Sequence, residues 1–134
     1  MTRTRHTVNE TLRAHSPAIP LARRVLTGYA EAAGFTGPLL DAIRTAVSEA
    51  VTNVVRHAYP DEPGEVELVA GVVRNELWVI VADRGCGFQT PARDPGLGYG
   101  LALMADASED FVISERAGGG TEVRLFFPLP EGGI

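Results

Sequence analysis

The run from Leu39 to His57 most constrains what this chain folds into. Its apolar residues Leu40, Ile43, Val47, Ala50, Val51 and Val54 recur at spacings of three and four. At about 100° per residue they form one stripe, the mark of a helix that buries a single face. Tyr59-Pro60 ends it, because a residue before proline is pushed out of helical backbone. An earlier helix is expected from Leu21 to about Ala33, opened by Pro20 and punctuated by Gly34 and Gly37-Pro38. Alternation around Thr7–Leu12 predicts an edge strand. Three more strand-like segments follow near Val66–Val73, Leu77–Ala82 and Glu122–Phe127, with turns at Gly64, Asn75 and Gly118-Gly119-Gly120. A short helix is predicted from about Gly100 to Ala107. Helices segregated from a mixed or antiparallel sheet define an α+β fold, a two-layer α/β sandwich.

At 134 residues the chain is expected to form a single domain over 1–134, large enough to bury a real core. With 45% hydrophobic and 22% charged residues it reads as globular, and no stretch approaches the roughly 20 apolar residues of a membrane span. Met1-Thr-Arg-Thr-Arg-His6 leads into no apolar signal core, so a cytoplasmic protein without membrane attachment is expected. The formal charge of −5 argues against broad nucleic-acid binding, which needs a basic surface. The lone Cys86 forms no internal disulfide.

On the long helix, Glu49, Asn53, Arg56 and His57 fall at i, i+4, i+7 and i+8 and share a stripe roughly opposite the apolar one. Many such polar faces are simply solvated. The residue types here also allow chemistry. A carboxylate one turn before a carboxamide can deprotonate a hydroxyl while the carboxamide oxygen helps hold Mg²⁺ on phosphates. Arg56 offers a fork of donors to phosphate oxygens. His57 either touches a phosphate or complements the dipole at the helix end. Asp83 closes the apolar strand Leu77–Ala82 and precedes Gly85 and Gly87. It is either a turn former or an acceptor for an exocyclic amine such as that of adenine, with the glycines admitting a close approach of backbone to base. The cluster Gly96-Leu97-Gly98-Tyr99-Gly100-Leu101 directly precedes the expected short helix, where backbone amides and the helix dipole favour phosphate. It is not a Walker A loop, which would end in Gly-Lys-Ser/Thr.

Taken together these residues resemble the histidine-kinase-like (Bergerat-fold) ATPases, and most of all the bacterial anti-sigma-factor serine/threonine kinases. Glu49-Ala-Val-Thr-Asn53-Val-Val-Arg56-His57-Ala-Tyr59 is similar to that family's N box, and Asp83-Arg-Gly85-Cys-Gly87-Phe to its first glycine box. Gly96-Leu97-Gly98-Tyr99-Gly100-Leu101 is similar to the second glycine box, and Gly119-Gly-Thr121 to the last nucleotide-contacting motif. The resemblance implies a sandwich with helices on one face of a mixed sheet. It further implies ATP and Mg²⁺ as cofactors, Glu49 as general base, Asn53 as Mg²⁺ ligand, Asp83 and Thr121 as adenine contacts, and the glycines as walls of the phosphate lid.

By the same resemblance the partners are a sigma factor, which the chain would sequester, and an antagonist protein, which it would phosphorylate on Ser or Thr; a homodimer is the family habit. Only Phe88 to Pro95 separates the two glycine boxes, so the lid is short. That shortness motivates a second reading, a non-catalytic module whose affinity for a protein partner is tuned by ATP. A third is a histidine-kinase catalytic domain acting in trans.

Overall fold

Residues 7–85, 110–116 and 118–130 are described by the computed structural model. In chain order they form β1 (Val8–Arg13), α1 (Ala18–Ala32), α2 (Gly37–Asn53) running into a wide π turn (Val54–Ala58), β2 (Glu65–Val73), β3 (Glu76–Asp83), β4 (Asp110–Glu115) and β5 (Thr121–Pro128). The sheet order is β1-β2-β3-β5-β4, and every neighbouring pair is antiparallel. Of the two arrangements left open by the sequence, the mixed sheet is thus not the one found among the described strands. Tight hairpins account for the β2–β3 and β4–β5 pairs, since a short turn reverses the chain and can only join antiparallel neighbours, whereas the β1–β2 and β3–β5 pairs are made across longer stretches of chain. Between β2 and β3 the turn residues Arg74 and Asn75 take φ of 54° and 68°. Two successive positive φ values are the turn whose twist matches that of the flanking strands.

Strand β4 was not among the expected elements, and it pairs Phe111 with Leu125 and Ile113 with Val123. Its Phe-Val-Ile run carried the signal, but six residues of alternation are weak beside the glycine-rich chain before them. The short helix expected at Gly100–Ala107 lies outside the described residues.

Helix α1 starts three residues before the expected Leu21, with Pro20 in its first turn, where a missing N–H leaves no bond unmade. It ends through Gly34 at φ 108°, with Gly34 N–H donating to Glu31 O and Phe35 N–H to Ala30 O, both at 3.0 Å. This pair of reversed bonds is a Schellman cap, and it turns Phe35 into the core, where it is fully buried.

One face of the sheet makes that core. Val66, Leu68 and Ala70 of β2, Leu77, Val79 and Val81 of β3, and Val123, Leu125 and Phe127 of β5 are buried at alternate positions. Against them pack Ala22, Leu26 and Ala30 of α1 and Ile43, Ala46, Val47, Ala50 and Val51 of α2. The alternation decides the site, because it also places the last residue of β3 and the first of β5 on the helix side.

Candidate functional site

Asp83 follows Leu77, Val79 and Val81 on the buried face, and it is only 5% exposed. Burial pushes its carboxyl above the ordinary carboxylate range, opposed by backbone amides of Gly85 and Thr121 and by the Arg116 guanidinium. The Gly85 amide donates to Asp83 Oδ1 at 2.8 Å. Thr121, equally buried, opens β5 one step beyond the Ala82–Glu122 pair, so it stands beside Asp83. Strand ends, a helix end and a hairpin therefore converge here on one acidic acceptor.

They converge backbone to backbone. A Cβ added at Gly85 would run into the carbonyl of Ala58, the last residue of the π turn. One added at Gly120, whose φ is 105°, would run into the Asp83 carbonyl oxygen and lie 2.6 Å from the Arg84 Cα. Only glycine permits both approaches.

Around this point lies a polar network that sequence reading missed. The Arg84 amide donates to the Tyr59 hydroxyl at 2.9 Å, and that hydroxyl donates to the Glu65 carbonyl at 2.7 Å. Arg116 Nη1 donates to the Asp83 carbonyl at 3.2 Å, while its Nη2 lies 3.5 Å from Glu67 Oε1. In the sequence Tyr59 is marked only as the end of the N-box run and as a helix terminator before Pro60; nothing local marks Arg116 or Glu67, which meet the site across the sheet. An open groove of about 430 Å³, lined by Arg13, Tyr59, Glu65, Glu67 and Arg84 among others, lies beside this network. Neither Asp83 nor Thr121 lines it, nor do Glu49 and Asn53.

Glu49 and Asn53 are half-buried and one turn apart on α2, as their spacing predicts. Arg56 and His57 fall within the π turn that continues α2, whose wider coil advances each residue by a smaller angle than an α-helix does. Arg56 is exposed and His57 half-buried, and both sit in the last turn, where a cation complements the helix dipole. Gly87, Gly96, Leu97, Gly98, Tyr99, Gly100 and Leu101 lie outside the described residues.

Among the described residues the Asn53 Nδ2 atom is buried with no hydrogen-bond partner. An unmet buried donor costs about 1–3 kcal/mol, and an acceptor such as a phosphate oxygen would meet this one, while the carboxamide oxygen beside it is the atom a cation would take. The described residues hold no group of three or more His, Cys, Asp or Glu that could cage a metal. Mg²⁺ needs no such cage: it keeps several waters and takes phosphate oxygens, and a carboxamide oxygen is a hard ligand of the kind it accepts. The residues present fit a cation that arrives with a polyphosphate.

Residues 12–127 match the profile of the histidine kinase-like ATPase domain. The chain belongs to that family. Among curated relatives, the serine-protein kinase RsbW of Bacillus velezensis is 42% identical, over 75% of this chain and 72% of its own length. RsbW of Bacillus thuringiensis is 36% identical over 56% of this chain and 47% of its own length. The chain thus spans about half the length of the first curated relatives it matches. The crystal structure of the RsbU and RsbW domains of Rv1364c from Mycobacterium tuberculosis superposes with a TM-score of 0.74 at 26% identity, covering 93% of this chain and 33% of that one. No helix among the described residues of this histidine kinase-like ATPase domain is long and apolar enough to cross a membrane.

Proposed function

We propose that this domain binds ATP with Mg²⁺ and transfers its terminal phosphoryl group to a Ser or Thr hydroxyl of an antagonist protein, and that it also sequesters a sigma factor. The observation that carries this reading is the buried Asp83 acceptor, framed by Gly85 and Thr121, at the end of the sheet in a chain 42% identical to a serine-protein kinase. The Gly85 and Thr121 amides and the Arg116 guanidinium offset the burial of this carboxylate only in part, so a further donor is favoured there, and the exocyclic amine of adenine is such a donor.

In this reading Asp83 accepts from the adenine amine and Thr121 lines the base. Asn53 presents its carboxamide oxygen to the cation, with Arg56 within the same turn available to phosphate oxygens. Bound Mg²⁺ supplies neutralisation of charge on the transferred group. Glu49 accepts the proton as the acceptor hydroxyl oxygen bonds to the γ-phosphorus, and the bond from that phosphorus to the β,γ-bridging oxygen breaks to release ADP. The glycine cluster Gly96–Gly100 would hold phosphates through its amides. Cytoplasmic residence and a homodimer belong to the same proposal.

Calorimetric titration with ATP, alongside transfer of labelled γ-phosphate to a cognate antagonist, tests it. Glu49→Gln should keep ATP affinity and lose transfer by about 10²–10⁴-fold, the usual weight of a general base. Full transfer by that variant would remove Glu49 from the role, and ATP binding without transfer by the wild type would favour the non-catalytic regulatory module.

A further inference from the structure

Strand pairing ends at the very place where Asp83 must be held still. The β2–β3 ladder runs to the Val66–Asp83 pair and the β3–β5 ladder to the Ala82–Glu122 pair. The next peptide unit, which joins Asp83 to Arg84, lies beyond both ladders. Its two polar ends are nonetheless both engaged by side chains: the carbonyl accepts from Arg116 Nη1 and the N–H donates to Tyr59 Oη. Each of those side chains is itself tethered, Tyr59 to the Glu65 carbonyl at 2.7 Å and Arg116 to Glu67 at 3.5 Å.

Fixing both ends of a peptide plane fixes its rotation, and here that rotation matters. The bond from the Gly85 amide to Asp83 Oδ1 closes a ring through this same peptide, the geometry of an Asx turn. If the plane flips, the Gly85 amide leaves Oδ1 and the carboxylate is free to turn. We infer that Tyr59 and Arg116 are positioning residues that lock the Asp83–Arg84 peptide so that the Asp83 carboxylate presents its remaining lone pairs to the exocyclic amine of an adenine. This rests on the nucleotide-binding reading above. Neither residue needs to touch the nucleotide: Tyr59 comes from the helix terminus and Arg116 from the β4–β5 hairpin, so two elements outside β3 set the base preference.

The test is discrimination between ATP and inosine triphosphate, which has the same ring system and phosphates but a carbonyl where adenine carries the amine. Both nucleotides are titrated with Mg²⁺ into wild type, Tyr59→Phe and Arg116→Met, at a temperature where melting curves show each protein folded. Tyr59→Phe keeps the ring over Gly64 and removes only the hydroxyl. With one to two hydrogen bonds lost, ATP affinity is expected to fall about tenfold in each variant while inosine triphosphate affinity holds, so the preference collapses. A variant that loses affinity for both nucleotides equally, or for neither, overturns the positioning role. Wild type that binds neither nucleotide would instead sink the nucleotide reading and this inference with it.

Discussion

Replacing Gly120 by Ala should damage this protein more than the same change two residues earlier, and the difference isolates one contact. Gly118 and Gly120 both have positive φ, 88° and 105°, so each alanine incurs a backbone cost of about 1–2 kcal/mol. A Cβ at Gly118 meets nothing within 4 Å. A Cβ at Gly120 meets the Asp83 carbonyl and the Arg84 Cα, and overpacking of that kind adds about 1–3 kcal/mol. Gly118→Ala is therefore expected to cost about 1–2 kcal/mol and Gly120→Ala about 2–5 kcal/mol. That is a large part of the roughly 5–15 kcal/mol that holds a domain together. Urea denaturation monitored by Trp78 fluorescence measures both. With a slope near 2 kcal/mol per molar, a further 2 kcal/mol moves the midpoint by about 1 M. Coincident midpoints for the two variants would show that the hairpin gives way freely and that the contact with the Asp83 backbone is not tight.

Three further outcomes are expected. Burial raises the folded-state pKa of Asp83 above its ordinary value, so the stabilisation from holding its proton is complete below the unfolded pKa and is lost as pH rises through the folded one. Asp83→Asn without nucleotide should accordingly gain stability over wild type in thermal melts as pH rises above the ordinary carboxylate range of about 4, and a flat difference would contradict the burial argument. Arg74 holds φ of 54° in the β2–β3 turn, so Arg74→Asn, a residue tolerant of that conformation, should raise stability by about 0.5–1 kcal/mol by calorimetry; a loss would show that the Arg74 side chain matters more than its backbone. Phe35→Ala, at a fully buried site, should cost about 3–5 kcal/mol in the same assay, and a loss under 1 kcal/mol would mean that the core closes over the gap.

How much of this was legible in the sequence varied with the range of the interaction. Helix α2 was readable because its stripe repeats within its own length, and its end was readable because Tyr59 precedes a proline. The antiparallel order was not, since alternation in Val66–Val73 or Leu77–Ala82 tells which face a residue occupies but not which strand lies alongside. Asp83, Gly85 and Thr121 were singled out from short patterns, and the fold brings them together. The π turn escaped because a run such as Val54-Val-Arg-His-Ala58 fits an α-helix equally well. Glu67 and Arg116 carried no local mark, and Tyr59 none that showed its hydroxyl's role, because their meaning depends on a peptide unit that only the closed sheet brings to them.

The abutting backbones at Gly85 and Gly120 also bear on how the chain reaches its working form. Ala58 must meet Gly85, and Asp83 must meet Gly120, across long intervening stretches of chain, so the loop-closure entropy of both is spent before the acceptor site exists. A chain halted after β3 on its way to the native state would own Asp83 yet lack the hairpin that floors it. Occupancy of this site therefore reports that both of these distant parts of the chain have come together.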